Sequence, residues 1–212
     1  AAPTVLGWGL LRMTGLHEGR GASLAVLLHG WGGDETSMAV FETAFGPGWR
    51  TVRLRAPYPL PGGGYAWWIP QADGRPDPRM VQESLRALRG RIEELLQQEA
   101  RGAPHRVVVG FSQGGAMAAL LTLQTPDLVT GLAIFSGFLP DVPEAGVAPS
   151  LAGKAVFIAH GRADSLVPIA QARALCARLQ ALGARTTCVE YPGGHKASAE
   201  AWRAFREWIR GL

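Results

Sequence analysis

Residues 106–116, Arg-Val-Val-Val-Gly-Phe-Ser-Gln-Gly-Gly-Ala, join a β-branched run to a Gly-x-Ser-x-Gly core centred on Ser112, with a helix-forming segment directly after it. A serine on a tight strand-to-helix turn has its hydroxyl thrust clear of the backbone. Glycines two before and two after it leave space where a Cβ would collide. Ser112 is therefore a candidate nucleophile, and the turn puts the Gln113 amide at a helix N-terminus, where a free N–H can stabilise an oxyanion. With 28 glycines in 212 residues, a bare match arises by chance about 0.14 times in such a chain, so context has to support it. A serine hydroxyl also needs a base, and the base needs a group that orients it. Two segments offer these. In His160-Gly161-Arg162-Ala163-Asp164-Ser165-Leu166-Val167-Pro168 the acid Asp164 follows a strand-like run, and in Tyr191-Pro192-Gly193-Gly194-His195 the histidine sits in a glycine turn.

A fourth segment, His29-Gly30-Trp31-Gly32-Gly33-Asp34-Glu35, is a glycine-rich turn whose backbone amides can form the other half of an oxyanion hole. Read instead as a phosphate loop it fails, because the spacing fits neither Gly-x-Gly-x-x-Gly nor a Walker A sequence. Asp164 can equally be a helix cap, and Asp141 is the rival acid one strand earlier. His29 and His160 each precede a glycine at a strand end and read as loop braces, while His17 and His105 fall outside these loops.

The elements that must position these groups alternate along the chain. Runs of strand length lie at 24–29, 51–54, 106–111, 132–135, 155–160 and 186–191. Helical patterns lie at 35–45, 79–99, 113–124, 169–182 and 198–209. The clearest has Val81, Leu85, Leu88, Ile92 and Leu95 at helical spacing behind Pro78. Such alternation predicts a mostly parallel sheet covered by helices on both faces, in one domain over 1–212. Residues 5–16 are too short for a βαβ unit and read as antiparallel edge strands. Active sites in such sheets form at the carboxyl ends of the strands, where all four loops lie.

Composition narrows the function classes. The 47% hydrophobic and 18% charged content argues against disorder, and no apolar run approaches the roughly 18 residues of a membrane span. A net charge of +4 invites nucleic acid, but the arginines are dispersed. Arg86, Arg89 and Arg91 alternate with Glu83, Glu93 and Glu94, so solvated helix faces are the better reading. Residues Ala1-Ala2-Pro3 carry no basic-then-apolar leader pattern, and a cytoplasmic location is the expectation. Cys176 and Cys188 match no metal spacing and read as two buried free thiols. A homodimer is left open.

The chain order Ser112, Asp164, His195 is that of α/β-hydrolases, and the sequence resembles their phospholipase/carboxylesterase family, which includes the acyl-protein thioesterases. The resemblance rests on Leu28-His29-Gly30 with Gly33-Asp34-Glu35, Gly110-Phe111-Ser112-Gln113-Gly114-Gly115, Ser136-Gly137-Phe138-Leu139-Pro140, the block from His160-Gly161 to Val167-Pro168, and Gly194-His195. It implies an α/β-hydrolase fold, triad roles for Ser112, Asp164 and His195, an oxyanion hole from the amides of Trp31 and Gln113, and no metal or organic cofactor. Two positions depart from the pattern. Trp31 stands where thioesterase members usually carry a smaller aliphatic residue, and Gly193 replaces a frequent Met.

Nothing in the sequence offers a large lid. Residues 56–70 hold Pro57, Pro59, Pro61 and Gly62-Gly63-Gly64, and residues 136–150 hold Pro140, Pro143 and Pro149, more breakers than a helix tolerates. An open cleft follows, with Trp31, Trp67, Trp68, Phe138 and Leu139 as candidate lining. The expectation is a serine carboxylesterase acting on short- to medium-chain esters through an acyl-enzyme. An acyl-protein thioesterase or lysophospholipase is the alternative, and a non-catalytic ligand-binding α/β-hydrolase a more distant one.

Overall fold

Side chains alternate along the central strands between two separate cores, and this alternation dictates the layering. In β2 (Ser23–Leu28), Leu24, Val26 and Leu28 enter one core while Ala25 and Leu27 enter the other, as the period of two requires. A sheet apolar on both faces must be covered on both. The computed structural model describes residues 13–14, 22–142 and 150–212. In chain order the other elements are β1 (Met13–Thr14), α1 (Ala39–Glu42), β3 (Trp49–Leu54), β4 (Tyr58–Pro59), β5 (Tyr65–Ala66), α2 (Pro78–Gln98), β6 (Arg106–Phe111), α3 (Gln113–Gln124), β7 (Gly131–Phe135), β8 (Ala155–Gly161), α4 (Ile169–Ala181), β9 (Arg185–Tyr191) and α5 (Ala199–Arg210).

The main sheet has the order β1-β3-β2-β6-β7-β8-β9. Among the described residues only β1 is antiparallel in this sheet, against β3, and every other pairing is parallel. Helices α2, α3 and α4 bury their apolar residues in one core, and α1 and α5 bury theirs in the other. This is the mostly parallel, doubly covered α/β-hydrolase sheet expected. Helix α3 is buried almost all round, which explains why its sequence shows apolar content without an amphipathic stripe.

Two expectations change, and a third is described only in part. The helix expected over 35–45 is a 3-10 turn, Glu35–Met38, followed by the single turn α1. Asp34 caps it tightly by accepting from the Thr36 and Ser37 amides at 2.9 and 3.2 Å, and Gly46-Pro47-Gly48 stops it. Of the edge strands expected over 5–16, Met13–Thr14 does pair antiparallel at the sheet edge, and the rest lies outside the described residues, as does His17. Cys176 and Cys188 are not free thiols. They form a disulfide joining α4 to β9, because α4 packs alongside the parallel pair β8 and β9, and the two chain segments thus meet.

Residues 56–70 form no helical lid; β4 and β5 pair as a small antiparallel hairpin. Among the described residues no helix is long and apolar enough to cross a membrane.

Candidate active site

Strand order reverses between β2 and β6, since β3 lies beyond β2 while β7, β8 and β9 lie beyond β6. A crevice opens at such a switch point, outside the carboxyl ends of the strands. The loop after β2 carries Trp31 and the turn after β6 carries Ser112 and Gln113, so the residues expected to supply the oxyanion amides follow adjacent strands.

Ser112 is held at φ 52°, ψ −117°, a region that a residue with a Cβ occupies only when its surroundings enforce it. The flanking glycines make the turn feasible. A Cβ on Gly110 would lie 2.3 Å from the Gly114 carbonyl oxygen, and one on Gly114 would lie 2.3 Å from the Leu28 carbonyl oxygen. Both contacts are impossible, so helix α3 can approach β2 and β6 only with glycine at these places.

The Ser112 hydroxyl donates to His195 Nε2 at 2.9 Å, and His195 Nδ1–H donates to Asp164 Oδ2 at 2.7 Å. Asp164 Oδ1 accepts the amides of Leu166 and Val167 at 3.0 and 2.9 Å. One carboxylate oxygen of Asp164 thus caps the following turn and the other bonds His195. Burial pushes the Asp164 carboxyl up, but the Val167 amide, His195 and the Leu166 amide outweigh it and hold the group below its ordinary value. Asp164 stays a carboxylate at neutral pH. Asp141 is exposed and is not the acid bonded to His195.

Acid and base loops are tied together. The Arg162 and Ala163 amides donate to the carbonyls of Tyr191 and Gly193 at 2.8 and 2.9 Å, and the Tyr191 hydroxyl donates to the Lys196 carbonyl at 2.6 Å. The Phe111 ring meets the His195 imidazole edge-on at 5.1 Å. His160, fully buried, lies under this loop with Nε2 at 2.8 Å from the Val167 carbonyl and 3.3 Å from Asp164 Oδ2.

The first glycine-rich loop is pinned through a short bridge to the hairpin. Gly32 N–H donates to the Tyr65 carbonyl at 3.0 Å and Tyr65 N–H to the Gly33 carbonyl at 2.9 Å. Arg55 grips Glu35 with two bonds of 2.6 Å and stacks over the Tyr65 ring. The amides of Trp31 and Gln113 take no part in these bonds.

Of the expected lining residues, Trp31 is 49% exposed on the loop that follows β2. Phe138 and Leu139 border a cavity of about 640 Å³ together with Arg75, Pro140 and Arg178. Trp67 and Trp68 require correction. They are 0% and 3% exposed, members of the core and not of an open cleft wall. Trp68 still meets the Phe138 ring edge-on. Burial of Trp67 is possible because its indole N–H is satisfied, donating to the His29 carbonyl at 2.9 Å. Sequence reading missed this strut and the Gln113 side chain that meets it, since both pairings span more than 35 positions and leave no local signal.

Comparison with known proteins bears on the family and the fold. The profile of the family described as Phospholipase/Carboxylesterase matches residues 17–212. A rice protein (Oryza sativa subsp. japonica) named a probable carboxylesterase is 34% identical over 214 residues, covering 92% of this chain and 91% of its own. The mouse lysophospholipase-like protein 1 is 28% identical across 72% of this chain and 67% of its own. Among solved structures, the carboxylesterase of Bacillus cereus superposes with a TM-score of 0.82 at 21% identity, covering 96% of each chain. That last likeness is one of fold.

Proposed function

This chain belongs to the phospholipase/carboxylesterase family of α/β-hydrolases, and from that premise we propose that it is a serine carboxylesterase hydrolysing short- to medium-chain esters with Ser112, His195 and Asp164 as its triad. The observation that carries the reading is the continuous relay Ser112 Oγ to His195 to Asp164, at 2.9 and 2.7 Å. His195 takes the hydroxyl proton as Oγ attacks the ester carbonyl carbon, and Asp164 fixes its tautomer and stabilises the imidazolium. The oxyanion of the tetrahedral intermediate lies against the N–H groups of Trp31 and Gln113. Its collapse expels the alcohol, which receives the proton from His195. Water then attacks the acyl-enzyme by the same base, and Ser112 is released.

Trp31, half exposed on the loop after β2, supports a short acyl site, because a bulky indole on that loop takes up room that a long chain would need. Up to that limit each buried methylene adds about 0.8 kcal/mol. The mouse relative's name motivates a second reading, hydrolysis of lysophospholipids, beside the acyl-protein thioesters that the sequence resemblance implies. For the compartment, the Cys176–Cys188 disulfide favours an oxidising one over the cytoplasm expected from the sequence.

A fluorophosphonate probe and a panel of p-nitrophenyl esters test both parts. The parent should be labelled and Ser112→Ala should not, with activity down at least about a thousandfold. Across the panel kcat/KM should peak at roughly four to eight carbons, if burial follows the methylene increment until the indole intervenes. Retained activity in Ser112→Ala would remove the nucleophile assignment. A steady rise through palmitate, or preference for a lysophospholipid, would establish the second reading.

A further inference from the structure

We propose that His29 is a positioning residue for oxyanion binding, its imidazole fixing the plane of the peptide that presents the Trp31 N–H. The inference rests on the oxyanion assignment made above and assigns a role to a buried histidine that does not touch the triad.

His29 is fully buried at the end of β2. The Ala56 N–H donates to His29 Nε2 at 3.0 Å, so in the neutral imidazole that nitrogen is the acceptor and Nδ1 carries the proton. Nδ1–H then donates to the carbonyl oxygen of Gly30 at 2.7 Å. That carbonyl and the Trp31 N–H are opposite ends of one planar amide. Fixing the direction of the oxygen therefore fixes the direction of the hydrogen. A second donor, Gly33 N–H at 3.1 Å, completes the grip on the same oxygen, and the preceding carbonyl, of His29 itself, is held by the Trp67 indole at 2.9 Å.

The loop needs this restraint because glycine stands at positions 30, 32 and 33 and glycine resists few rotations. A turned Gly30–Trp31 peptide would aim a carbonyl dipole where negative charge develops. Donation into the Gly30 oxygen also polarises the amide and makes its N–H a stronger donor, as hydrogen-bond chains do. Burial holds the His29 pKa down against the Gly30 bond and the charges of Asp34 and Glu35, with Arg55 acting in the same direction as burial. The imidazole thus keeps its acceptor nitrogen at working pH.

Two substitutions separate the roles. His29→Asn places an amide nitrogen near Nδ1 and keeps the Gly30 bond alone, whereas His29→Gln reaches toward Nε2 and keeps the Ala56 bond alone. With p-nitrophenyl butyrate, kcat of His29→Gln should fall at least about tenfold with KM changed less than about threefold, while His29→Asn stays within about threefold of the parent, in line with losing an interaction made only in the transition state. Affinity for a boronic acid, whose tetrahedral anion mimics the oxyanion, should follow kcat. Equal losses in both variants, or full kcat in His29→Gln, would overturn the proposal. Ring nitrogen NMR of the parent gives a check that needs no variant activity: the His29 signal must report the Nδ1–H tautomer, and the Nε2–H tautomer would refute it. If Ser112→Ala itself stays active, it is the triad reading that fails. If Ser112→Ala is dead and His29→Gln is unimpaired, only the present inference fails.

Discussion

Gln113 clasps the backbone on both sides of Trp67: its Oε1 accepts the Trp67 N–H at 2.8 Å and its Nε2 donates to the Trp68 carbonyl at 2.9 Å. Through its indole N–H, Trp67 reaches on to the His29 carbonyl, and the Ser84 hydroxyl donates to the Trp67 carbonyl at 2.6 Å. One buried tryptophan thus joins the turn that carries Ser112 to the loop that carries Trp31. The two halves of the crevice are registered against each other by a residue that a substrate does not reach.

Trp67→Phe should expose this coupling. It keeps most of the buried ring but leaves the His29 carbonyl without its donor, an unpaired buried polar group costing about 1–3 kcal/mol. The melting temperature should fall by roughly 2–4 °C per kcal/mol for a chain of this size, and kcat should fall more than KM rises. A variant melting with the parent and equally active would show that the strut carries no load.

Asp164→Asn should lower kcat by on the order of 10⁴, because only a carboxylate at that position fixes the His195 tautomer. Asp141→Asn should leave the rate within about twofold. The pair is measured side by side on one ester, and the reverse ranking would transfer the acid role to the loop after β7.

Reduction of the Cys176–Cys188 disulfide, or a Cys176→Ala, Cys188→Ala double variant, should lower the melting temperature without abolishing folding. The bridge closes a segment of 12 residues in sequence separation, for which chain entropy gives about 3 kcal/mol. Arg173 still links α4 to β9 through Glu190 at 2.7 and 2.8 Å, so the two elements stay registered. Unchanged melting on reduction would show that the bridge does not form in solution.

His29 also sets a pH dependence of stability with a definite sign. Burial lowers its pKa from the ordinary 6.5, so as pH falls through that value the unfolded chain takes up a proton that the folded one refuses. The unfolded state binds more protons, and stability falls with falling pH until the folded-state pKa is reached. Between pH 7.5 and 5.5 the parent should lose more melting temperature than His29→Asn does. Contributions from the other histidines cancel in the comparison. Equal losses would mean that His29 titrates alike in both states.

The sequence by itself determined what depends on neighbouring residues or on their period. Apolar-rich runs, most followed closely by Gly, Pro or Ser, placed five of the six parallel strands to within about a residue, and strand β3 began two residues early, at Trp49. The Gly-x-Ser-x-Gly turn marked the candidate nucleophile, because the clash that a Cβ on Gly110 would make with the Gly114 carbonyl is a local property of the elbow, whereas that at Gly114 is with Leu28 of a neighbouring strand. The candidate acid and base could be singled out because parallel connectivity sends every loop after a strand to one end of the sheet. Tertiary structure alone decided the rest. That Asp164 and not Asp141 meets His195 depends on the lateral order β7-β8-β9, and the pairing of Cys176 with Cys188 depends on α4 lying alongside β9. The turn at 35–45 tightened because Asp34 captured the Thr36 and Ser37 amides. Trp67 moved from wall to core because its one polar hydrogen found the His29 carbonyl, a partner 38 positions away, and no sequence window of helical or strand length contains both.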